Sequence, residues 1–136
     1  MTRAVFDTNV ILDVGLARER HLRDSLRAIE LVAQGRVEGF LPGHGVTTIY
    51  YFLRKNRGPG DAARMIGWLL DRFQVAGVDE ATIRRALELD FPDFEDEVVY
   101  ASAEKVEADV VVTRDASGFP THTIAVLSPQ AFVSSH

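Results

Sequence analysis

The sequence predicts an α/β protein built on a parallel sheet, and three observations carry that prediction. Short apolar runs alternate along the chain with stretches whose apolar residues recur at helical spacing, the pattern of successive βαβ units. Arg3-Ala4-Val5-Phe6 ends abruptly in Asp7-Thr8-Asn9 and resumes as Val10-Ile11-Leu12, a strand passing through a tight turn into a helix. Far downstream, Val110-Val111-Val112-Thr113 is short, β-branched and uninterrupted, as a buried strand should be. Right-handed crossovers bring such strand ends to one edge, where open α/β sheets bind their ligands.

In chain order, a short helix over 10–14 follows the first strand and breaks near Gly15. Leu22, Leu26, Ile29 and Val32 recur at spacings of four, three and three, predicting an amphipathic helix over 21–34 that Gly35 stops. Arg20, Arg23 and Arg27 fall on its other side. A brief strand over 37–41 ends at Pro42-Gly43, and Val46, Ile49, Tyr50 and Leu53 then share one face of a helix running into Arg54-Lys55-Asn56-Arg57. Gly58-Pro59-Gly60 is a break, after which Asp61 caps a helix carrying Met65, Trp68, Leu69 and Arg72. A third strand is predicted over 73–78, and Asp79 caps a helix over 80–89. Phe91-Pro92-Asp93 marks the boundary before a helix over 94–106. A fifth strand over 124–127 and a short helix opened by Ser128-Pro129-Gln130 complete the pattern. With no internal repeat, low-complexity tract or long linker, a single domain over 1–136 is expected.

Composition narrows the function classes. The chain is 46% hydrophobic, enough for one core, and no apolar run approaches membrane-spanning length. The Met-Thr-Arg start lacks the apolar stretch of a secretory signal, and the absence of cysteine fits a reducing compartment, so a cytoplasmic location is expected. The net charge of −5 argues against a sequence-independent nucleic-acid coat. That average hides an acidic locus: Glu88, Asp90, Asp93, Glu95, Asp96 and Glu97 have no base among them. Arginine-rich segments lie elsewhere, and such a distribution can hold a metal and still grip phosphates.

Three acids stand out by position. Asp7 follows the first strand and Asp115 follows the 110–113 strand, so neighbouring central strands would bring both to one edge. Asp96, Val99, Ala103 and Val106 lie at spacings of three, four and three, which sets Asp96 on the apolar stripe of its helix, in the first turn. A carboxylate on such a stripe is costly to bury unless a cation or donors meet it. Asp93 reads equally as the helix cap and as a metal ligand, whereas Glu95 and Glu97 read as solvated neighbours. Acids gathered at one edge repel each other, and a divalent cation offsets that repulsion. Oxygen ligands without cysteine point to Mg²⁺ or Mn²⁺, and His21, His44, His122 and His136 show no metal-ligand spacing and read as surface or turn residues. The chemistry expected of hard ions in a carboxylate pocket is phosphoryl transfer, in which they activate water and clamp the scissile phosphate.

Phe6-Asp7-Thr8-Asn9-Val10-Ile11-Leu12, Asp93-Phe94-Glu95-Asp96 and Val112-Thr113-Arg114-Asp115, in this order, resemble a PIN domain, particularly the VapC-type nuclease toxins of toxin–antitoxin pairs. The resemblance covers nearly the whole chain. It implies a three-layer α/β/α sandwich with a parallel sheet of about five strands in the order 3-2-1-4-5. It also implies Mg²⁺-dependent cleavage of single-stranded RNA, a homodimer, and inhibition by a small antitoxin protein. Asp7, Asp96 and Asp115 match the family's metal-binding, catalytic acids; Thr8, Asn9 and Thr113 match supporting polar residues. One departure stands out. The family's helix after the second strand usually carries a glutamate, and Thr48 occupies that place here, with no acid between Glu38 and Asp61. A hydroxyl supplies no charge, so a weakened nuclease, or a degenerate module that binds RNA or a protein without cutting, is the alternative.

Arg114, beside Asp115, is the expected RNA phosphate contact, with Arg20, Arg23, Arg27, Arg54, Lys55 and Arg57 as further basic groups whose plainer reading is a solvated helix face. Tyr50 and Tyr51 face differently, so at least one belongs to the core, and Trp68 is expected in the core or at a dimer interface. A phospho-acceptor domain would need paired acids after the first strand and a lysine after the last; Phe6 precedes Asp7, and lysine occurs only at Lys55 and Lys105.

Overall fold

The computed structural model describes residues 1–120 and 123–136, so the expectation for His122 lies outside the described residues. Five strands form one sheet: β1 (Arg3–Phe6), β2 (Glu38–Pro42), β3 (Gln74–Ala76), β4 (Val110–Val112) and β5 (Ala125–Leu127). All neighbours pair in parallel in the order β3-β2-β1-β4-β5, with Phe6 opposite Val112. Seven α-helices accompany them: α1 (Thr8–Gly15), α2 (Glu19–Ala33), α3 (Val46–Arg57), α4 (Pro59–Arg72), α5 (Glu80–Leu87), α6 (Phe94–Lys105) and α7 (Pro129–Ser134).

The two-residue period of the central strands divides the core. Ala4, Phe6, Leu41, Val110 and Val112 pack in one cluster with apolar residues of α1, α2, α3, α4 and α7, including Ile11, Ile29, Leu53, Leu69 and Phe132. Val5, Phe40 and Val111 pack in a second with Val99, Tyr100 and Ala103 of α6. These are the predicted three layers, in the predicted strand order. Helix α6 is enclosed, because α5 covers its far side through Ala86, Val98 and Ala101. All residues from Glu97 to Ala103 are buried. Glu97 is therefore no solvated neighbour: it is 7% exposed, and its Oε2 accepts from the Phe91 amide at 3.1 Å.

Other differences from the sequence reading have local causes. Helix α4 begins at Pro59 with Gly58 as its cap, since proline suits the first helical position; Asp61 lies inside the first turn and pairs with Arg64. Helix α2 buries Ser25, Ala28, Ile29, Leu31 and Val32, leaving Leu26 38% exposed, because Ser25 turns inward to a buried acid, Asp13. Trp68 is not core: it is 37% exposed, with the Arg72 guanidinium 4.0 Å from its ring centre. Tyr50 packs against the core and Tyr51 is exposed, as the helix geometry requires. Asp79 caps α5 as predicted, in a reciprocal box with Thr82, and those bonds together with Lys105 hold its carboxyl well below the usual carboxylate range. None of the described helices is long and apolar enough to cross a membrane.

Candidate functional site

Strand β1 delivers Asp7 as the cap residue of α1, where its amide still donates to the Val112 carbonyl at 2.9 Å. By the alternation of the strands, Asp7 and Thr113 fall on the α6 side with Val5 and Val111. The Thr113 hydroxyl donates to Asp7 Oδ2 at 2.8 Å and accepts from the Asp115 amide at 3.2 Å, so one side chain orients the acids that follow two adjacent strands. Asp7 is 5% exposed. Burial pushes its carboxyl up, and the Glu95 charge adds to that; the Thr113 hydroxyl, the Thr8 amide and His44 oppose it.

Asp96 enters from the first turn of α6. Asp93 caps this helix, its Oδ1 accepting from the Asp96 amide at 3.1 Å. Asp93 is therefore the cap, and oxygens of Asp93, Glu95 and Asp96 also lie within 4.8 Å of one another. The Asp96 carboxyl is pushed up to about 7, first by burial and then by the charges of Asp7, Asp93, Glu95 and Asp115. Charges from three distant segments thus bear on Asp96, while among the described residues the acids whose ligand oxygens lie within 4.8 Å of one another are Asp93, Glu95 and Asp96, without Asp7 or Asp115. Gly118 completes the wall, since a β-carbon there would collide with Asp96 Oδ2. Asp115 is exposed, and the Ser117 hydroxyl donates to its carboxylate.

Beside Asp7 opens a cavity of about 260 Å³ lined by Thr8, Asn9, His44, Thr48 and Glu95. Thr48 does face the pocket of Asp7, bringing a hydroxyl where an acid would add charge. The Thr8 hydroxyl is buried and has no hydrogen-bond partner, pressed so close to Gly45 that a β-carbon there would strike it. Two residues missed in the sequence belong here. Glu95, read as solvated, lies with its Oε2 2.7 Å from His44 Nε2. His44, read as a turn residue, comes just past the carboxyl end of β2, the same edge as Asp7, and that position was the available signal.

The other expected contacts divide differently. Arg114 Nε lies 2.8 Å from Asp13 Oδ2, and its Nη1 donates to His21 at 3.1 Å. Asp13 is fully buried, and it also accepts from the Ser25 hydroxyl at 3.0 Å and from Arg18 at 3.4 Å. The Arg114 side chain is thus engaged as counter-charge to this acid. Arg20, Arg23, Arg27, Arg54, Lys55 and Arg57 are exposed.

A family model described as a PIN domain matches residues 3–117. No curated protein sequence matches the chain. Among solved structures, VapBC2 of Rickettsia felis, bound to a promoter DNA fragment, superposes with a TM-score of 0.70 at 14% identity, covering 93% of this chain and 98% of that one. A toxin–antitoxin complex from Klebsiella pneumoniae gives 0.69 at 18% identity, covering 93% and 97%. Mycobacterium tuberculosis VapC20, a sarcin-ricin loop cleaving toxin, gives 0.67 at 16% identity, covering 85% and 92%. At such identities these likenesses show a shared fold.

Proposed function

The chain belongs to the PIN-domain family, and on that footing we propose that it is a divalent-metal-dependent endoribonuclease acting on single-stranded RNA, the toxin of a toxin–antitoxin pair. The observation that carries this reading is the gathering of acids at one sheet edge: Asp93, Glu95 and Asp96 bring carboxylate oxygens within 4.8 Å of one another, and the charges of Asp7 and Asp115 also bear on Asp96. The cavity offers oxygen donors from Asp7, Asn9, Thr48 and Glu95 beside His44, with Arg18 also on its wall and a buried Thr8 hydroxyl without a partner. Such donors fit Mg²⁺ or Mn²⁺.

Asp7, Asp96 and Asp115 would hold the ion, with Asp93 contributing when it is not capping α6. The bound ion supplies positive charge to the scissile phosphate and its leaving oxygen and makes a water more acidic. The protein supplies orientation. Thr113 holds Asp7 and the Asp115 backbone in register, Thr8 and Asn9 present small polar groups at the start of α1, and Gly118, lacking a β-carbon, leaves room for the Asp96 carboxylate. Arg114 sits beside Asp115 in the chain, but its tie to Asp13 makes it a positioning group first and a phosphate contact second.

The toxin reading draws support from the fold shared with toxin–antitoxin proteins, VapC20 among them, and from an exposed apolar groove. Val14, Leu26, Ile29, Met65 and Trp68 line that groove, a surface suited to a protein partner such as an antitoxin or a second copy of the chain. A cytoplasmic homodimer neutralised by a small antitoxin completes the proposal.

The test is cleavage of single-stranded RNA by the purified protein with Mg²⁺ or Mn²⁺. Asp7→Asn and Asp96→Asn should each cut the rate by more than about 100-fold, beyond what loss of an outer-shell partner usually costs. Undiminished cleavage by both variants removes the site assignment. Thr48 favours a second reading, a PIN module that binds RNA or protein without hydrolysis; intact RNA binding with no Mn²⁺ binding at millimolar concentration would select it.

A further inference from the structure

The acid missing from α3 has a structural substitute. Thr48 lines the cavity beside Asp7, and across the same cavity stands Glu95, from the first turn of α6. Glu95 belongs to both halves of the site. It lines the Asp7 cavity, and its carboxylate lies within 4.8 Å of ligand atoms of Asp93 and Asp96. Its charge falls on Asp7 and on Asp96 alike. His44, itself a wall of the cavity, fixes the side chain through Oε2 at 2.7 Å. That anchoring leaves the second carboxylate oxygen without a hydrogen-bond partner among the described residues.

An acidic cluster alone is no site, and a separate observation points to a ligand in this cavity. Thr8 lines it, the residue is only 8% exposed, and its hydroxyl oxygen, enclosed beside Gly45, has no hydrogen-bond partner. A buried hydroxyl without a partner carries a desolvation cost that a ligand or the ligand's water would relieve. An ion in that cavity would find carboxylates of Asp7 and Glu95 on its walls, the hard donors that Mg²⁺ and Mn²⁺ take, with the unpartnered Thr8 hydroxyl behind them.

We propose that Glu95 is a metal-ligating residue of this protein, supplying from α6 the carboxylate that the Thr48 position on α3 lacks, with His44 as the residue that orients it. The inference rests on the divalent-metal reading above and assigns the charge that completes it.

Calorimetric titration with Mn²⁺ alone tests this without any RNA. Wild type, Asp96→Asn, Glu95→Gln, His44→Gln and the double variant Glu95→Gln/Thr48→Glu are compared, with melting curves to verify folding. The Glu95 side chain is 47% exposed, so its isosteric replacement leaves the core intact. Glu95→Gln is expected to weaken Mn²⁺ binding at least about 10-fold, the lower end of what outer-shell losses cause. Moving the charge back with Thr48→Glu should recover most of that loss, a rescue that a merely structural role for Glu95 does not give. His44→Gln, which keeps a donor, should lose less than Glu95→Gln.

Unchanged affinity in Glu95→Gln, alongside lost affinity in Asp96→Asn, overturns the assignment and leaves the carboxylate site standing. A loss in His44→Gln equal to that in Glu95→Gln also overturns it, because Glu95 would then act only by holding His44. No Mn²⁺ binding by the wild type overturns both this inference and the metal-dependent function.

Discussion

Asp7 caps a short helix and Asp13 lies within it, and both are buried, yet the molecule treats them in opposite ways. Asp13 is fully enclosed and is met by Arg114, Arg18 and the Ser25 hydroxyl. Asp7 is nearly as enclosed and is met by Thr113, with Glu95 nearby raising its carboxyl further. Burial therefore does not separate a structural carboxylate from a functional one. Compensation does: Asp13 closes an account with cations of the same chain, whereas the Asp7 edge carries charge with little to offset it.

The contrast breaks most visibly at Asp13. Removing it in Asp13→Ala leaves Arg114 and Arg18 facing an emptied interior, and chemical denaturation should record a loss of about 3–5 kcal/mol, typical of breaking a buried pair. Mn²⁺ affinity measured where the variant is folded should stay near wild type. Preserved stability with abolished metal binding would reverse the roles assigned to the two acids.

Next comes the pH dependence of the unpaired edge. The folded Asp96 carboxyl titrates near 7 against an ordinary 3.8, so between those values the folded chain keeps a proton that the unfolded chain has released. Stability owed to this group is thus full below the lower value and is lost as pH rises through the upper one. Water reaches part of the carboxylate, which reduces the contribution to about 1–2 kcal/mol. Melting curves from pH 4 to pH 8 should show the decline in wild type and a flatter profile in Asp96→Asn. Mg²⁺ at pH 8 should raise the wild-type melting temperature and leave the variant unmoved; identical profiles for the two proteins would contradict the account.

Thr113→Val is the mildest probe. It deletes the hydrogen bonds to Asp7 and to the Asp115 amide, and calorimetry should find Mn²⁺ binding about 10–100-fold weaker. Denaturation should register only about 1 kcal/mol. Unaltered affinity would mean that strand pairing alone orients the two acids.

These contrasts explain what the sequence made legible. The parallel α/β class followed from alternation and β-branched runs, strand order and layering followed from the resemblance to PIN domains, and Asp96 stood out because an acid interrupted an apolar stripe. The partnership of Glu95 with His44 was not, because it joins the start of α6 to the turn after β2 and depends on tertiary placement. Ser25 was hidden for a related reason: apolar spacing ranked Leu26 above it, whereas a hydrogen bond to Asp13 decided which face of α2 turned inward. An acid inside Val10-Ile11-Leu12-Asp13-Val14 was the clue available, and only burial gave it meaning. The tie of Arg114 to Asp13 was hidden on the same account, since the sequence did not reveal the enclosure of that acid.

The Thr113–Asp7 bond ties together residues 106 positions apart. During synthesis the amino-terminal acid leaves the ribosome long before its clasp exists, and β4 must emerge and dock beside β1 before the pocket closes. A chain cut short of β4 therefore carries Asp7 without its clasp, and the acidic edge is assembled only after Thr113 has docked.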